Sequence, residues 1–177
     1  MRALVVLVLL PLLLPAARAE SPGHGACDAT GALVCAGMDL GANVQCAIAL
    51  DASAASCSWT YGWLTQAYSP ALLPGHESHV IDATVRVCSS VSGCADTPFP
   101  HAGACDFVGL VDCTDSQQGP AGGVTRPLAL GECLTVTVTI AGSIDASVAQ
   151  GIATIATTHF ESTGNGAGQA CSVDNGR

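Results

Sequence analysis

The chain has 177 residues, fourteen acidic and five basic with no lysine, and a formal net charge of −9. That balance excludes a nucleic-acid partner, because binding a polyanion needs clustered lysine or arginine. The aromatic fraction is only 4%, so a core has to come from Val, Ile, Leu and Ala, which bury less area per residue than aromatic rings.

Met1-Arg2, an apolar run from Ala3 to Leu14 and the segment Pro15-Ala16-Ala17-Arg18-Ala19 have the layout of a cleavable secretory signal. Residues 1–19 are expected to be removed before Glu20. The run is shorter than the ~20 apolar residues needed to cross a bilayer. No later stretch is long and apolar enough for that, so the mature chain is expected to have no membrane span and to be secreted. Loss of Arg2 and Arg18 changes the formal charge from −9 to −11.

Ten cysteines follow the signal: Cys27, Cys35, Cys46, Cys57, Cys88, Cys94, Cys105, Cys113, Cys133 and Cys171. An even number in an exported chain points to a disulfide framework including all ten. No C-x-x-C occurs, which argues against a zinc ribbon or a thioredoxin-like redox motif.

In chain order, alternation of period two dominates. Val44–Leu50 alternates. Ser58–Trp63 alternates too, with Trp59, Tyr61 and Trp63 on the same face as Cys57. Ser78–Cys88 is the third expected strand. The clearest is Cys133–Ile140, where Leu134, Val136, Val138 and Ile140 share one face and three threonines the other. Ser143–Ala156 is alanine-rich and reads as helical at first, but Thr154, Ile155, Thr157 and Thr158 pull its end towards strand. Gly151–Phe160 completes the set. Frequent Gly, Pro and Ser turns between short strands give an all-β class, a disulfide-rich β-sandwich of antiparallel strands.

The chain also divides into related halves. Gly25–Cys35 and Gly103–Cys113 both read G-A-C-D-x-x-G-x-x-x-C, identical at six of eleven positions. Thr97-Pro98-Phe99-Pro100-His101 lies between them. The expected division is a first β-rich half over 20–97, a proline-containing linker over 98–102 and a second half over 103–177. One domain whose halves share a core is the alternative. Asp28 and Asp106 are expected to stabilise turns, with Gly31 and Gly109 supplying permissive φ.

The order Cys46…Trp59…Cys88 resembles the Cys…Trp…Cys signature of immunoglobulin-like domains, with Arg86 where that family has its corner tyrosine. The resemblance supports a sandwich and implies nothing about activity.

No motif specifies a reaction or a cofactor, so no catalytic residue is assigned. His76-Glu77-Ser78-His79 is the most suggestive cluster. A zinc protease needs H-E-x-x-H on a helix, whereas here the histidines are three apart on a strand entrance and point to opposite faces. Glu77 and His79 share a face. His76, Glu77 and His79 are therefore the candidate metal ligands of a secreted metal-binding protein or small hydrolase. His24 and His101 precede the two repeat motifs and read as exposed linker histidines. Trp59, Tyr61 and Trp63 form either core packing against a disulfide or an exposed ligand face. The leading expectation is a structural, adhesive or ligand-binding role outside the cell, with an extracellular protein or glycan as partner. A third reading is an enzyme inhibitor presenting Ser89–Gly93.

Overall fold

The computed structural model describes residues 31–109 and 112–172. The signal, Cys27, Asp28 and His24 lie outside them. The described chain is all strand and turn. β1 (Cys35–Ile48), β2 (Ala54–Tyr68), β5 (Cys113–Gln118) and β6 (Gly122–Pro127) form one antiparallel sheet. β4 (Gly93–Val108), β3 (Pro74–Ser89), β7 (Cys133–Gln150) and β8 (Ala153–Cys171) form the other, in that order. In the first sheet β2 is central. β1 covers one of its edges, and β5 and β6 lie end to end along the other.

The two sheets pack face to face over an aliphatic core. Leu134, Val136, Val138 and Ile140 of β7 are at most 1% exposed and meet Ile81, Ala83 and Val85 of β3, as the alternation requires. Each such side chain contributes about 1.5–3 kcal/mol on burial. Met38, Ala55, Cys57, Tyr61 and Ala67 close the core from the first sheet. The alanine-rich segment 143–150 is the second half of β7. Ile144, Ala146 and Val148 continue its buried face, so burial on alternate residues overrides helical propensity there.

β1 packs across β7 and β8. Contact with β8 is close because three alternate residues of β8 are glycine. A Cβ at Gly164 would lie 2.6 Å from the Leu40 carbonyl oxygen, and one at Gly168 would lie 2.8 Å from Val44 Cγ1.

Four disulfides form among the described residues, and Cys35 is disulfide-bonded as well. Cys46–Cys57, Cys88–Cys94 and Cys133–Cys171 each join directly opposed residues of neighbouring strands. Cys46 and Cys88 therefore have separate partners, and the immunoglobulin-like order of cysteines corresponds to no bridge. Cys105–Cys113 differs: it joins β4 of one sheet to β5 of the other.

The segment 98–102 is not a linker but the middle of β4, paired with residues 80–84 of β3. Pro98 and Pro100 fit there because β4 is an edge strand. Amide directions alternate along a strand, so two prolines two residues apart remove N–H groups from one side only, and at an edge that side has no ladder to lose. Each sheet draws strands from both halves, and the buried side chains form one cluster. The four bridges nevertheless each stay on one side of Pro98: three staple paired neighbouring strands, and Cys105–Cys113 joins strands that follow one another in the chain. Gly31 and Gly109 both have positive φ, 91° and 64°, as the repeated motif requires. Asp106 does not cap a turn. It sits on β4, opposite His76, with which it pairs.

Candidate metal centre

Along β3, Glu77, His79, Ile81, Ala83 and Val85 point between the sheets, while His76 points out. A strand turns successive side chains to opposite faces, so the histidines of His76-Glu77-Ser78-His79 part company. His76 Nδ1 lies 2.8 Å from the exposed carboxylate of Asp106 on the outer surface. Glu77 and His79 are buried, 2% and 3% exposed, and His79 Nδ1 is 2.5 Å from Glu77 Oε1.

The other face of the His79 ring environment comes from strands that the sequence does not connect with it. His101 of β4 is opposite Ile81 and also points inward, half-buried. Its ring stacks on that of His79 with centroids 5.5 Å apart and meets that of Trp63 at a tilt, with centroids 4.7 Å apart. Asp115 of β5 reaches across from the first sheet. Its Oδ2 lies 3.1 Å from His79 Nε2 and 3.1 Å from His101 Nε2. Trp63 Nε1 donates to the same oxygen at 3.3 Å, and the Gln117 side-chain amide donates to Oδ1 at 3.2 Å. Burial alone would raise the Asp115 carboxyl. The hydrogen bonds from Trp63, Gln117 and His101 and the charge of His79 outweigh it and hold the group below the usual carboxylate value.

His79, His101 and Asp115 thus bring one ligand atom each from three strands, all within 4.8 Å of one another. Glu77 determines how they can be used. As a carboxylate it accepts the Nδ1 proton of His79, so Nε2 faces the Asp115 oxygen either as an N–H on the charged ring or as a lone pair on the neutral one. Two acceptors in that arrangement repel unless a proton or a metal ion lies between them. A ligand imidazole backed by a carboxylate is the usual arrangement at protein metal sites, where the backing group fixes tautomer and ring orientation. Gly103 makes room for it: a Cβ there would lie 2.6 Å from His79 Cε1 and Nε2.

Of the residues expected to bind metal, Glu77 and His79 belong to this cluster and His76 does not. His101 was expected in an exposed linker. It is 26% exposed at the side chain and lines the inter-sheet space, because β4 continues through the prolines. The alternation Phe99, His101, Gly103 was the available signal for it. Nothing in the sequence marks Asp115 as its neighbour. The aromatic stripe faces inward, with Cys57, Tyr61 and Trp63 buried and Trp59 partly so. It is core packing, with Tyr61 against Phe99 at 5.8 Å, and not an exposed ligand face. Ser89–Gly93 is the turn of the β3–β4 hairpin, closed by Cys88–Cys94.

A second cluster adjoins the first. Cys105 and Cys113 bring their sulfur atoms within 4.8 Å of a Glu77 carboxylate oxygen. The inter-sheet bridge therefore packs against the residue that orients His79.

No protein-family model matches the chain, and no curated protein matches it. Among solved structures it is similar to the solution structure of R. palustris CsgH, at 15% identity over 72% of this chain and 90% of that one, with a TM-score of 0.18. A likeness of that size carries no argument about function.

Proposed function

We propose that this chain is an exported, disulfide-stapled β-sandwich that holds one divalent transition-metal ion between its sheets. The ligands are His79 Nε2, His101 Nε2 and an Asp115 carboxylate oxygen, with Glu77 orienting His79. The observation that carries the reading is the convergence of these three atoms beside a glutamate that commits His79 to the ligating tautomer.

Two imidazoles and a carboxylate suit zinc or cupric ions, whereas calcium and magnesium prefer all-oxygen sites. Three protein ligands leave a fourth tetrahedral position for water or for a donor group of a bound partner. His101 and Asp115 are each 26% exposed at the side chain, so the cluster is not sealed from solvent. Export is supported by the form of residues 1–19 and by the disulfides, which persist in oxidising compartments.

The test is metal analysis and titration of the purified mature protein with Zn²⁺ and with Cu²⁺. One equivalent is expected to bind, to be lost in His79→Ala and in His101→Ala, and to be retained in His76→Ala. Absence of stoichiometric binding, or binding that survives both His79→Ala and His101→Ala, would overturn the proposal.

A further inference from the structure

The centre draws its ligands from both sheets, yet β4 and β5 share no ladder of hydrogen bonds. His101 sits on β4 and Asp115 on β5. Among the described residues, the covalent tie between those two strands is Cys105–Cys113, four residues beyond His101 and two residues before Asp115. The same bridge packs on Glu77, which is itself opposite Cys105 in the β3–β4 register. One disulfide therefore touches every part of the arrangement: it ties the strand of one ligand to the strand of another, and it backs the carboxylate that orients the third.

We infer that the Cys105–Cys113 bridge is a redox control on the metal centre: closed, it holds β4 and β5 at the separation that three-point ligation needs, and its opening releases the ion. This rests on the metal reading above. Opening takes two electrons and two protons from a dithiol, which closes to its own disulfide while the two sulfurs become thiols. The freed strands then have to be ordered by the ion itself, and that cost is subtracted from its affinity. Linkage makes the effect reciprocal: an ion that needs the closed bridge also stabilises it.

The remaining bridges give the comparison. Cys88–Cys94 closes the far end of the β3–β4 hairpin, seven residue pairs from His101 along the same ladder, and joins neither β5 nor Glu77. Its loss removes a staple of the same kind without loosening the centre.

The experiment compares Zn²⁺ affinity, read by competition with a chromophoric chelator, in the wild type, in Cys105→Ser with Cys113→Ser, and in Cys88→Ser with Cys94→Ser. Serine avoids the thiolates that would otherwise ligate the ion. The first pair is expected to lose affinity by about tenfold or more, and the second pair to keep it. Equal affinity in the wild type and the Cys105→Ser/Cys113→Ser protein would overturn the coupling and leave the metal reading intact. A wild type that binds no ion would remove the metal reading itself. If the first double variant fails to fold by near-UV circular dichroism, the wild type answers the same question. Zn²⁺ is then expected to slow phosphine reduction of Cys105–Cys113 (the phosphine taking oxygen from water) without slowing that of Cys88–Cys94. Equal or faster reduction of Cys105–Cys113 with Zn²⁺ would refute the control.

Discussion

Gly103 lies directly opposite His79 in the β3–β4 ladder, and the imidazole occupies the space that a side chain at 103 would fill. The ring cannot swing aside freely, because Glu77 holds one nitrogen and Asp115 faces the other. Gly103→Ala is therefore expected to push the ring off its position. Overpacking of this kind costs about 1–3 kcal/mol, measurable by urea unfolding, and the same variant should bind Zn²⁺ more weakly. A variant with unchanged stability and affinity would show that the ring has room to spare.

Glu77 separates packing from polarity. Glu77→Gln keeps the shape and offers an amide oxygen to His79 Nδ1–H, whereas Glu77→Ala leaves a buried imidazole without its partner. The loss of one member of a buried pair costs about 3–5 kcal/mol. The alanine variant should fall in that range by denaturant titration and the glutamine variant well below it. Both should weaken metal binding, since groups that orient a ligand histidine are worth about 10–100-fold in affinity.

His159 of β8 gives a pH dependence away from the centre. It faces Asp145 across the β7–β8 ladder at 2.8 Å and Glu161 at 3.3 Å. Its hydrogen bonds to the carboxylates of Asp145 first, then Glu161, raise its pKa above the ordinary histidine value of 6.5. A raised value means that the folded state holds the proton more tightly. The stabilisation is fully present below 6.5 and is lost as pH rises through the folded-state value. Proton NMR should show His159 titrating above 6.5, and Asp145→Asn should bring it down. The site is exposed, so added salt should shrink the shift.

Gly164 tests the opposite edge. Gly164→Val would drive a branched side chain into the Leu40 carbonyl and into Ile140 Cγ2, which already lies 3.0 Å from an added Cβ. Backbone cannot rotate away as a side chain does, so the whole of β1 has to move. The expected loss is at least the ~1–3 kcal/mol of ordinary overpacking, seen as a lower midpoint in thermal unfolding.

Strand faces were legible in the sequence, because burial on one side of a sheet imposes period two wherever it occurs. Leu134 to Ile140 and the inward set of β3 follow from that rule alone, as does the separation of His76 from His79. Chain pairing was not legible. The prolines at 98 and 100 looked like an interruption, since their tolerance at an edge depends on β4 having no second neighbour, which is a property of the whole sheet. His101 and Asp115 meet His79 only after two sheets have been laid face to face, and no local pattern encodes that superposition. The repeated Gly-Ala-Cys-Asp motif pointed to two modules, whereas each sheet contains strands from both halves.

The stack of β1 on Gly164, Gly166 and Gly168 gives the molecule a spine. Main chain lies against main chain at Gly164 and Gly166, and the side chains of Val44 and Cys46 close on Gly168. The fore-edge is built otherwise, from rings, carboxylates and one clasp of sulfur. The two margins therefore resist parting by different means, close packing on glycine at one and polar contacts with a single covalent tie at the other.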